Sequence, residues 1–181
     1  MKSLIKVPEI IESDRLIYRR ISLADYKDLC CLYANPKVMP FIGKGVRTPE
    51  ETWEILTSYV KDWEENGFGP WAVFHKQTGD FIGRSGVYSS PRSPYVQIGY
   101  VLSDRYWGKG LGTEAAKASL NFGFNEIRCN KIVAFVRLEN IASRKILGDK
   151  LKMNCETEKF SYGPRMFARY GLSRSEYLAH N

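Results

Sequence analysis

The sequence lacks the residues and the long apolar runs that mark metal-binding and membrane proteins. Its 181 residues include only four cysteines and two histidines, and because no two cysteines form a CxxC pair we expect no metal site. No window approaches the roughly 20 apolar residues of a membrane span, and residues 1–11 contain no apolar stretch long enough for a signal peptide. We therefore expect a cytoplasmic protein that does not enter a membrane. Cys30 and Cys31 lie in an apolar helical run, and we expect them to be buried free thiols.

The chain also lacks repeats and low-complexity segments, so its length fits one domain over residues 1–181. The net charge of +7 would suggest nucleic-acid binding if the cations were clustered. Instead, lysine and arginine are scattered among acids such as Glu64, Glu65 and Glu126. We favour a solvated basic surface, or one that attracts an anionic cofactor. A basic ribosome- or RNA-associated domain remains an alternative.

Hydrophobic periodicity indicates an α+β fold with a mixed sheet. One strand–helix–strand unit implies a parallel crossover beside strands that pair as antiparallel hairpins. The second helix has the clearest start, because Thr48 can cap it, Pro49 suits its first position and Glu51 its third. The predicted strands are 15–21, 71–75, 81–88, 96–102, 131–136, 153–160 and 167–172, and the predicted helices are 23–34, 49–66, 113–125 and 140–150.

Three glycines at alternate positions, Gly108, Gly110 and Gly112, separate the strand 96–102 from the next helix. Glycine lets backbone N–H groups approach a bulky anion, and the first turn of a helix adds unsatisfied donors. Such a segment suits a pyrophosphate. It is not a P-loop, because that motif has serine or threonine after its lysine, whereas Gly110 follows Lys109 here. It is not the dinucleotide-binding motif GxGxxG either, because the third glycine comes one position too early. A glycine-rich connector that binds nothing is the alternative.

The segment WGKGLG at 107–112 resembles the acyl-CoA loop of the GNAT N-acetyltransferase superfamily, usually written Gln/Arg-x-x-Gly-x-Gly/Ala. Its flanks, YW at 106–107 and TEAA at 113–116, are similar to the ribosomal-protein acetyltransferase (RimJ/RimL) branch, which often has tryptophan at the first position of the motif. Further resemblances are DRL at 14–16, DFIG at 80–83, ENIAS at 139–143 and YGL at 170–172.

This resemblance implies a mixed, mostly antiparallel seven-stranded sheet, splayed between its fourth and fifth strands and flanked by about four helices. Acetyl-CoA would enter the wedge between the strands 96–102 and 131–136. Backbone groups near the end of the strand 96–102 would pair with the pantetheine arm, and amides of 109–113 would hold the pyrophosphate. The implied cofactor-binding residues are Tyr100, Val101, Leu102, Trp107, Gly108, Lys109, Gly110, Leu111, Gly112, Thr113, Asn140 and Ser143.

The resemblance also implies direct attack of a primary amine on acetyl-CoA, without a covalent cysteine. Many relatives protonate the departing thiolate with a tyrosine seven residues after Asn140, but position 147 is leucine here. Ser143 then becomes our candidate acid; otherwise it is an early-helix serine that contacts only CoA or its own backbone. Asn140 is placed to touch CoA or to act only as an N-cap.

A second departure from the family pattern follows this helix. Relatives usually read EKLGF, whereas this chain reads GDKLKM at 148–153, with an apparent extra residue and no glycine before Met153. For the base we have only positional candidates in Gln97, Glu64 and Glu65. The expected partners are an amine acceptor, either a protein N-terminus or a small amine, and a second copy in a homodimer. A degenerate acyl-CoA-binding module with little turnover is the remaining alternative.

Overall fold

The computed structural model describes residues 7–90 and 93–180. It contains one eight-stranded sheet in the order β1-β2-β3-β4-β5-β6-β8-β7. Every neighbouring pair is antiparallel except β5 and β6, which run parallel. The strands are β1 Ile10–Glu12, β2 Leu16–Arg20, β3 Pro70–His75, β4 Phe81–Ser90, β5 Ser93–Leu102, β6 Lys131–Arg137, β7 Asn154–Tyr162 and β8 Arg165–Ser173.

Five α-helices lie among the described residues, and two of them end in π-helical turns. The helices are α1 Tyr26–Tyr33, α2 Pro49–Asn66, α3 Leu111–Asn121, α4 Ile141–Lys145 and α5 Arg174–His180. Phe122–Glu126 continues α3, and Ile146–Lys150 continues α4, as π-helical turns. A π-helical turn holds one residue more than an α-helical turn, and such turns often occur near functional sites.

The start of α2 confirms the sequence prediction. The Thr48 hydroxyl accepts a hydrogen bond from the Glu51 amide, and the Glu51 carboxylate accepts one from the Thr48 amide. This capping box satisfies donors at the helix N-terminus that would otherwise lack partners. At the other end, Gly67 adopts φ +74 and stops the helix, as glycine commonly does.

The helices cover both faces of the sheet, as two adjacent residues of β4 show. The Ser85 hydroxyl lies within hydrogen-bonding distance of the Ala115 carbonyl of α3, while the Arg84 guanidinium hydrogen-bonds to Tyr33 of α1. Successive strand residues point to opposite faces. Helix α3 therefore packs on one face, and α1 and α2 pack on the other.

The sheet splays open between β5 and β6. Only two residue pairs connect these strands, Val96 with Ile132 and Gln97 with Val133, although β5 continues to Leu102 and β6 to Arg137. Beyond these pairs the two strands diverge toward their carboxyl ends. This wedge confirms the expected splay and leaves backbone groups of β5 without a partner strand.

Several details differ from the sequence predictions. The sheet has eight strands instead of seven because the three-residue β1 pairs with β2, and α5 is a fifth helix. Cys30 is only partly buried and Cys31 is exposed, so the prediction of two buried thiols was wrong. Both cysteines lie on α1, whose buried face is formed by Leu29, Leu32 and Tyr33.

Candidate active site

The glycine-rich segment lies at the open end of the wedge, between the end of β5 and the start of α3. Gly108 has φ +72 and Gly110 has φ +78, both in the left-handed region that only glycine adopts at little cost. Gly110 is the N-cap of α3 and accepts a hydrogen bond from the Glu114 amide at 3.1 Å. The two left-handed residues turn the chain from the strand into the first turn of the helix.

The first turn of α3 presents backbone donors toward this segment. The amides of Leu111, Gly112 and Thr113 precede the Glu114 amide, which is the first to donate within the helix, and so have no helical partner. Gly112 has helical geometry, and a Cβ added there would stand 3.5 Å from Cδ1 of Ile146, an ordinary packing distance to the turn after α4. Unsatisfied amides at a helix N-terminus suit an anion such as a pyrophosphate.

The large side chains of the segment fold back onto the protein. Trp107 is 50% exposed and donates from its indole Nε1 to the Leu102 carbonyl at 2.9 Å. Lys109 donates from Nζ to the Arg105 carbonyl at 3.1 Å and lies 5.3 Å from the centre of the Tyr106 ring. These contacts leave the backbone of the segment as the surface that a ligand can reach.

A brace that sequence reasoning missed holds the segment in place. The Glu114 carboxylate accepts hydrogen bonds from the Ser13 hydroxyl at 2.6 Å, the Arg15 amide at 2.8 Å and the Arg15 Nε at 2.7 Å. Arg15 also donates to the Lys109 carbonyl at 2.8 Å. Burial opposes ionisation of Glu114, but the bonds from Ser13 and Arg15 keep its pKa below the ordinary value. A charged brace therefore connects β2 to the loop.

The last residues of β5 present alternate backbone groups to the wedge. The Ser103 amide donates to the Ile82 carbonyl at 2.8 Å, so the Leu102 carbonyl on the same peptide points away from β4. The Val101 carbonyl instead lies against Gly83 of β4, where an added Cβ would clash with it. Because backbone groups alternate along a strand, Tyr100 and Leu102 are the predicted pantetheine contacts that face the wedge.

Asn140 and Ser143 lie at the start of α4, across the wedge from β5. The Asn140 side chain accepts a hydrogen bond from the Ser143 amide at 3.1 Å, which confirms Asn140 as an N-cap. The hydroxyls of Ser143 and Tyr100 are 2.9 Å apart. Burial raises the pKa of Tyr100 to about 12 and outweighs the opposing effect of the Ser143 bond. Tyr100 is therefore a neutral phenol near pH 7, paired with Ser143.

The other positional candidates differ in their surroundings. Gln97 is buried and donates to the Tyr88 hydroxyl at 3.1 Å, whereas Glu64 and Glu65 are exposed. Leu147 is a core residue, 2% exposed. Within 7–90 and 93–180, no group of three or more His, Cys, Asp or Glu side chains is placed to hold a metal ion, and no helix is long and apolar enough to cross a membrane.

Comparisons with known proteins match this geometry. The family model described as acetyltransferase (GNAT) domain matches residues 15–151. The Bacillus subtilis (strain 168) protein named uncharacterized N-acetyltransferase YoaA is 25% identical over 151 residues, covering 82% of this chain and 84% of its own. A crystal structure of an acetyltransferase from Agrobacterium tumefaciens superposes with a TM-score of 0.80 at 22% identity, covering 92% of this chain and 95% of that one. The ribosomal-protein-S5-alanine acetyltransferase from Vibrio fischeri superposes with a TM-score of 0.74 at 19% identity, covering 93% and 99%.

Proposed function

Because this chain belongs to the GNAT family of N-acetyltransferases, we propose that it transfers the acetyl group of acetyl-CoA directly to a primary amine, as a member of the RimJ/RimL-like branch. The observation that carries the proposal is the anion site at the N-terminus of α3, held open by left-handed Gly108 and Gly110 beside the splayed strands. The branch is supported by the YW motif at 106–107 and the TEAA motif at 113–116.

In this proposal acetyl-CoA lies along the wedge. The amides of Leu111, Gly112 and Thr113 bind its pyrophosphate, and the wedge-facing backbone of Tyr100 and Leu102 binds its pantetheine arm. Trp107 packs at the edge of the site with its indole fixed on the Leu102 carbonyl. The acetyl carbonyl is then held near the start of α4.

The reaction needs a neutral amine and a proton for the leaving group. The amine nitrogen attacks the thioester carbonyl, the C–S bond breaks, and CoA leaves as a thiolate that must be protonated. We propose that Ser143 gives this proton to the thiolate and takes one from the neutral Tyr100 phenol, 2.9 Å away. The proton that the amine nitrogen loses on forming the amide returns to Tyr100 through water in the wedge, so that both hydroxyls are restored. Asn140 fixes the backbone of Ser143 and so acts as a positioning residue.

The acceptor must lose a proton before or during attack. An α-amine, with a pKa of ~8, is far easier to deprotonate than a lysine amine near ~10.4. We propose a protein N-terminal α-amine or a small-molecule amine as the acceptor, with water carrying the proton to solvent. Gln97 cannot act as a base because its amide does not titrate, and it serves to bind the acceptor or Tyr88.

Two further properties belong to the same proposal. One sheet connects residues 10 to 173 without a break in the strand order, which supports a single catalytic domain over 1–181. The net charge of +7 favours attraction of anionic acetyl-CoA in a cytoplasmic setting. We also propose a homodimer as the working form, which sedimentation analysis would test.

Calorimetric titration with CoA tests the cofactor site, and Gly110→Ala is the informative variant. Alanine in the left-handed region costs about 1–2 kcal/mol and would displace the donors, so CoA affinity should fall about tenfold. The control is Gly163→Ala, which places alanine at φ +58 in the distant β7–β8 turn. Equal CoA affinity in both variants and the native protein would contradict the assigned site.

Free-thiol release with amine and peptide acceptors then tests turnover. We expect release that depends on the acceptor and exceeds hydrolysis. Leu147 is buried at the position where the family resemblance implies a tyrosine that protonates the thiolate. The lack of this tyrosine favours the second candidate, an acyl-CoA-binding module. Binding of CoA without acceptor-dependent thiol release would support that candidate and reject the transferase.

A further inference from the structure

Arg84 is a buried cation on β4 that the mechanism above does not use. Its side chain is 7% exposed and lies under α1 and α2. Its Nε donates to the Tyr33 hydroxyl, and its guanidinium carbon lies 5.9 Å from the Tyr33 ring centre and 5.2 Å from the Tyr59 ring centre. The two tyrosine hydroxyls are 3.2 Å apart and form a polar lining around the guanidinium.

No carboxylate balances this charge. In the part of the chain that the structure describes, Arg84 forms no ion pair, and its Nη1 is buried without a hydrogen-bond partner. The side chains that interact electrostatically with Arg84 are Tyr33, Tyr59 and Tyr88. Cation–π contacts offset only about 2 kcal/mol of the desolvation cost of a buried guanidinium. A buried cation without a carboxylate partner is a candidate for a ligand site.

Arg84 lies next to the strand that we assign to the cofactor. It stands directly opposite Val101 in the β4–β5 ladder, so both side chains project from the same face of the sheet. That face carries α1 and α2, and it also carries Gln97 and Tyr88, which are opposite each other. Arg84 therefore lies on the face opposite to α3, one strand away from the wedge.

We propose that Arg84 binds a carboxylate of the acceptor, so that the acceptor is a small primary amine that also carries a carboxylate, such as an amino acid. The proposal rests on the acetyltransferase function proposed above. The guanidinium presents planar donors that suit a carboxylate, and the Tyr33 and Tyr59 hydroxyls can donate to the same group. The side chains that cover Arg84 come from α1 and α2. For the carboxylate of an acceptor to reach the guanidinium, those side chains must rotate away, whereas the sheet can stay unchanged.

The same charge disfavours other acceptors. A polyamine has no carboxylate and would bring further positive charge toward an unbalanced cation. An amino-acid amide keeps the reacting amine and loses only the negative charge. A comparison of amino acids with their amides therefore isolates the contribution of the carboxylate.

Thiol release would be measured for L-alanine, L-leucine and L-phenylalanine, for their C-terminal amides, and for spermidine. The native protein should use the acids with a kcat/KM about 10- to 100-fold above that of the amides. Arg84→Met keeps the length of the side chain and removes its charge, and it should reduce the acid-to-amide ratio to about one. The control Lys27→Met removes one positive charge from the exposed face of α1 and should leave the ratio unchanged.

A binding measurement separates this proposal from the proposed function. In the presence of CoA, N-acetylated amino acids should raise the melting temperature of the native protein and not that of Arg84→Met, and N-acetylated amides should raise neither. Equal use of acids and amides by the native protein overturns the proposal, as does a variant that slows both equally. If acetyl-CoA binds but no amine is acetylated, the transferase function fails. The carboxylate site fails as well if N-acetylated amino acids do not raise the melting temperature of the native protein above that of Arg84→Met.

Discussion

Replacing Lys152 with glycine is expected to stabilise the fold by about 0.5–1 kcal/mol. Lys152 has φ +56, one of two non-glycine residues with positive φ in the described chain, and its side chain is exposed. It follows the π-helical turn Ile146–Lys150, at the position where the family pattern has glycine. The Leu151 amide donates to the Ile146 carbonyl at 2.9 Å, and the Met153 amide donates to the Leu147 carbonyl at 3.0 Å. These two bonds hold Lys152 in the left-handed conformation.

The magnitude follows from two opposing effects. The left-handed conformation costs a residue with a Cβ about 1–2 kcal/mol. Glycine recovers this cost but makes the unfolded chain more flexible, which returns about 0.4–1 kcal/mol. Within the described residues, the Lys152 side chain forms no hydrogen bond or ion pair that the substitution would remove. For a chain of this size the net gain should raise the melting temperature by about 1–4 °C.

Urea and thermal unfolding of Lys152→Gly would measure the effect. Arg128→Gly, at φ +61 and also exposed, should stabilise in the same way. Lys150→Gly, in the helical part of the same turn, should destabilise by up to ~1 kcal/mol because glycine is a poor helix former. If Lys152→Gly destabilised the protein as Lys150→Gly does, the argument from backbone conformation would be refuted.

Three other predictions concern the site and its supports. Glu114→Gln should lower the urea midpoint near pH 7. Because the pKa of Glu114 is lowered in the folded protein, its contribution to the free energy of unfolding is present above the unfolded pKa of ~4.3 and is lost as the pH falls through the folded pKa. If the variant and the native protein still differed in stability in acid, the charged brace would be contradicted. Tyr100→Phe and Ser143→Ala should each reduce the single-turnover rate constant by about 100-fold or more with CoA affinity unchanged; a fall in affinity alone would assign them to binding. Thr48→Ala should cost ~1 kcal/mol in unfolding experiments, and an unchanged midpoint would show that the capping box adds nothing.

The elements with strong local signals were predicted well from the sequence. Helix α2 begins and ends where the capping box at Thr48 and the pattern up to Asn66 place it. The prediction started α3 at position 113, but the helix begins at Leu111, because a glycine-rich run reads as loop even where its last glycine is already helical. Strand β1 and helix α5 were missed because three and seven residues are too few for a periodic pattern.

The side-chain partnerships of the site could not be predicted, because each joins distant parts of the chain. Arg15 and Glu114 are 99 residues apart, and Tyr100 and Ser143 are 43 apart. Arg84 gave no signal either, since an arginine in a strand is ordinary until the structure shows that α1 and α2 cover it. The glycines predicted the proposed cofactor segment from the sequence, whereas its brace and the Arg84 site that we propose for the acceptor depend on which faces pack together.

The two departures from the family pattern at α4 have one structural explanation. The apparent extra residue between Asn140 and Met153 is accommodated by the π-helical turn, which widens the helix by one residue and requires a left-handed residue at Lys152. Leu147 lies inside that turn and packs in the core, so a tyrosine at this position would not reach the wedge without rearrangement. In the mechanism that we propose, the hydroxyl near the sulfur comes instead from Ser143, with the Tyr100 hydroxyl of β5 beside it. Under that proposal, the changed turn and the change of acid are parts of the same adaptation.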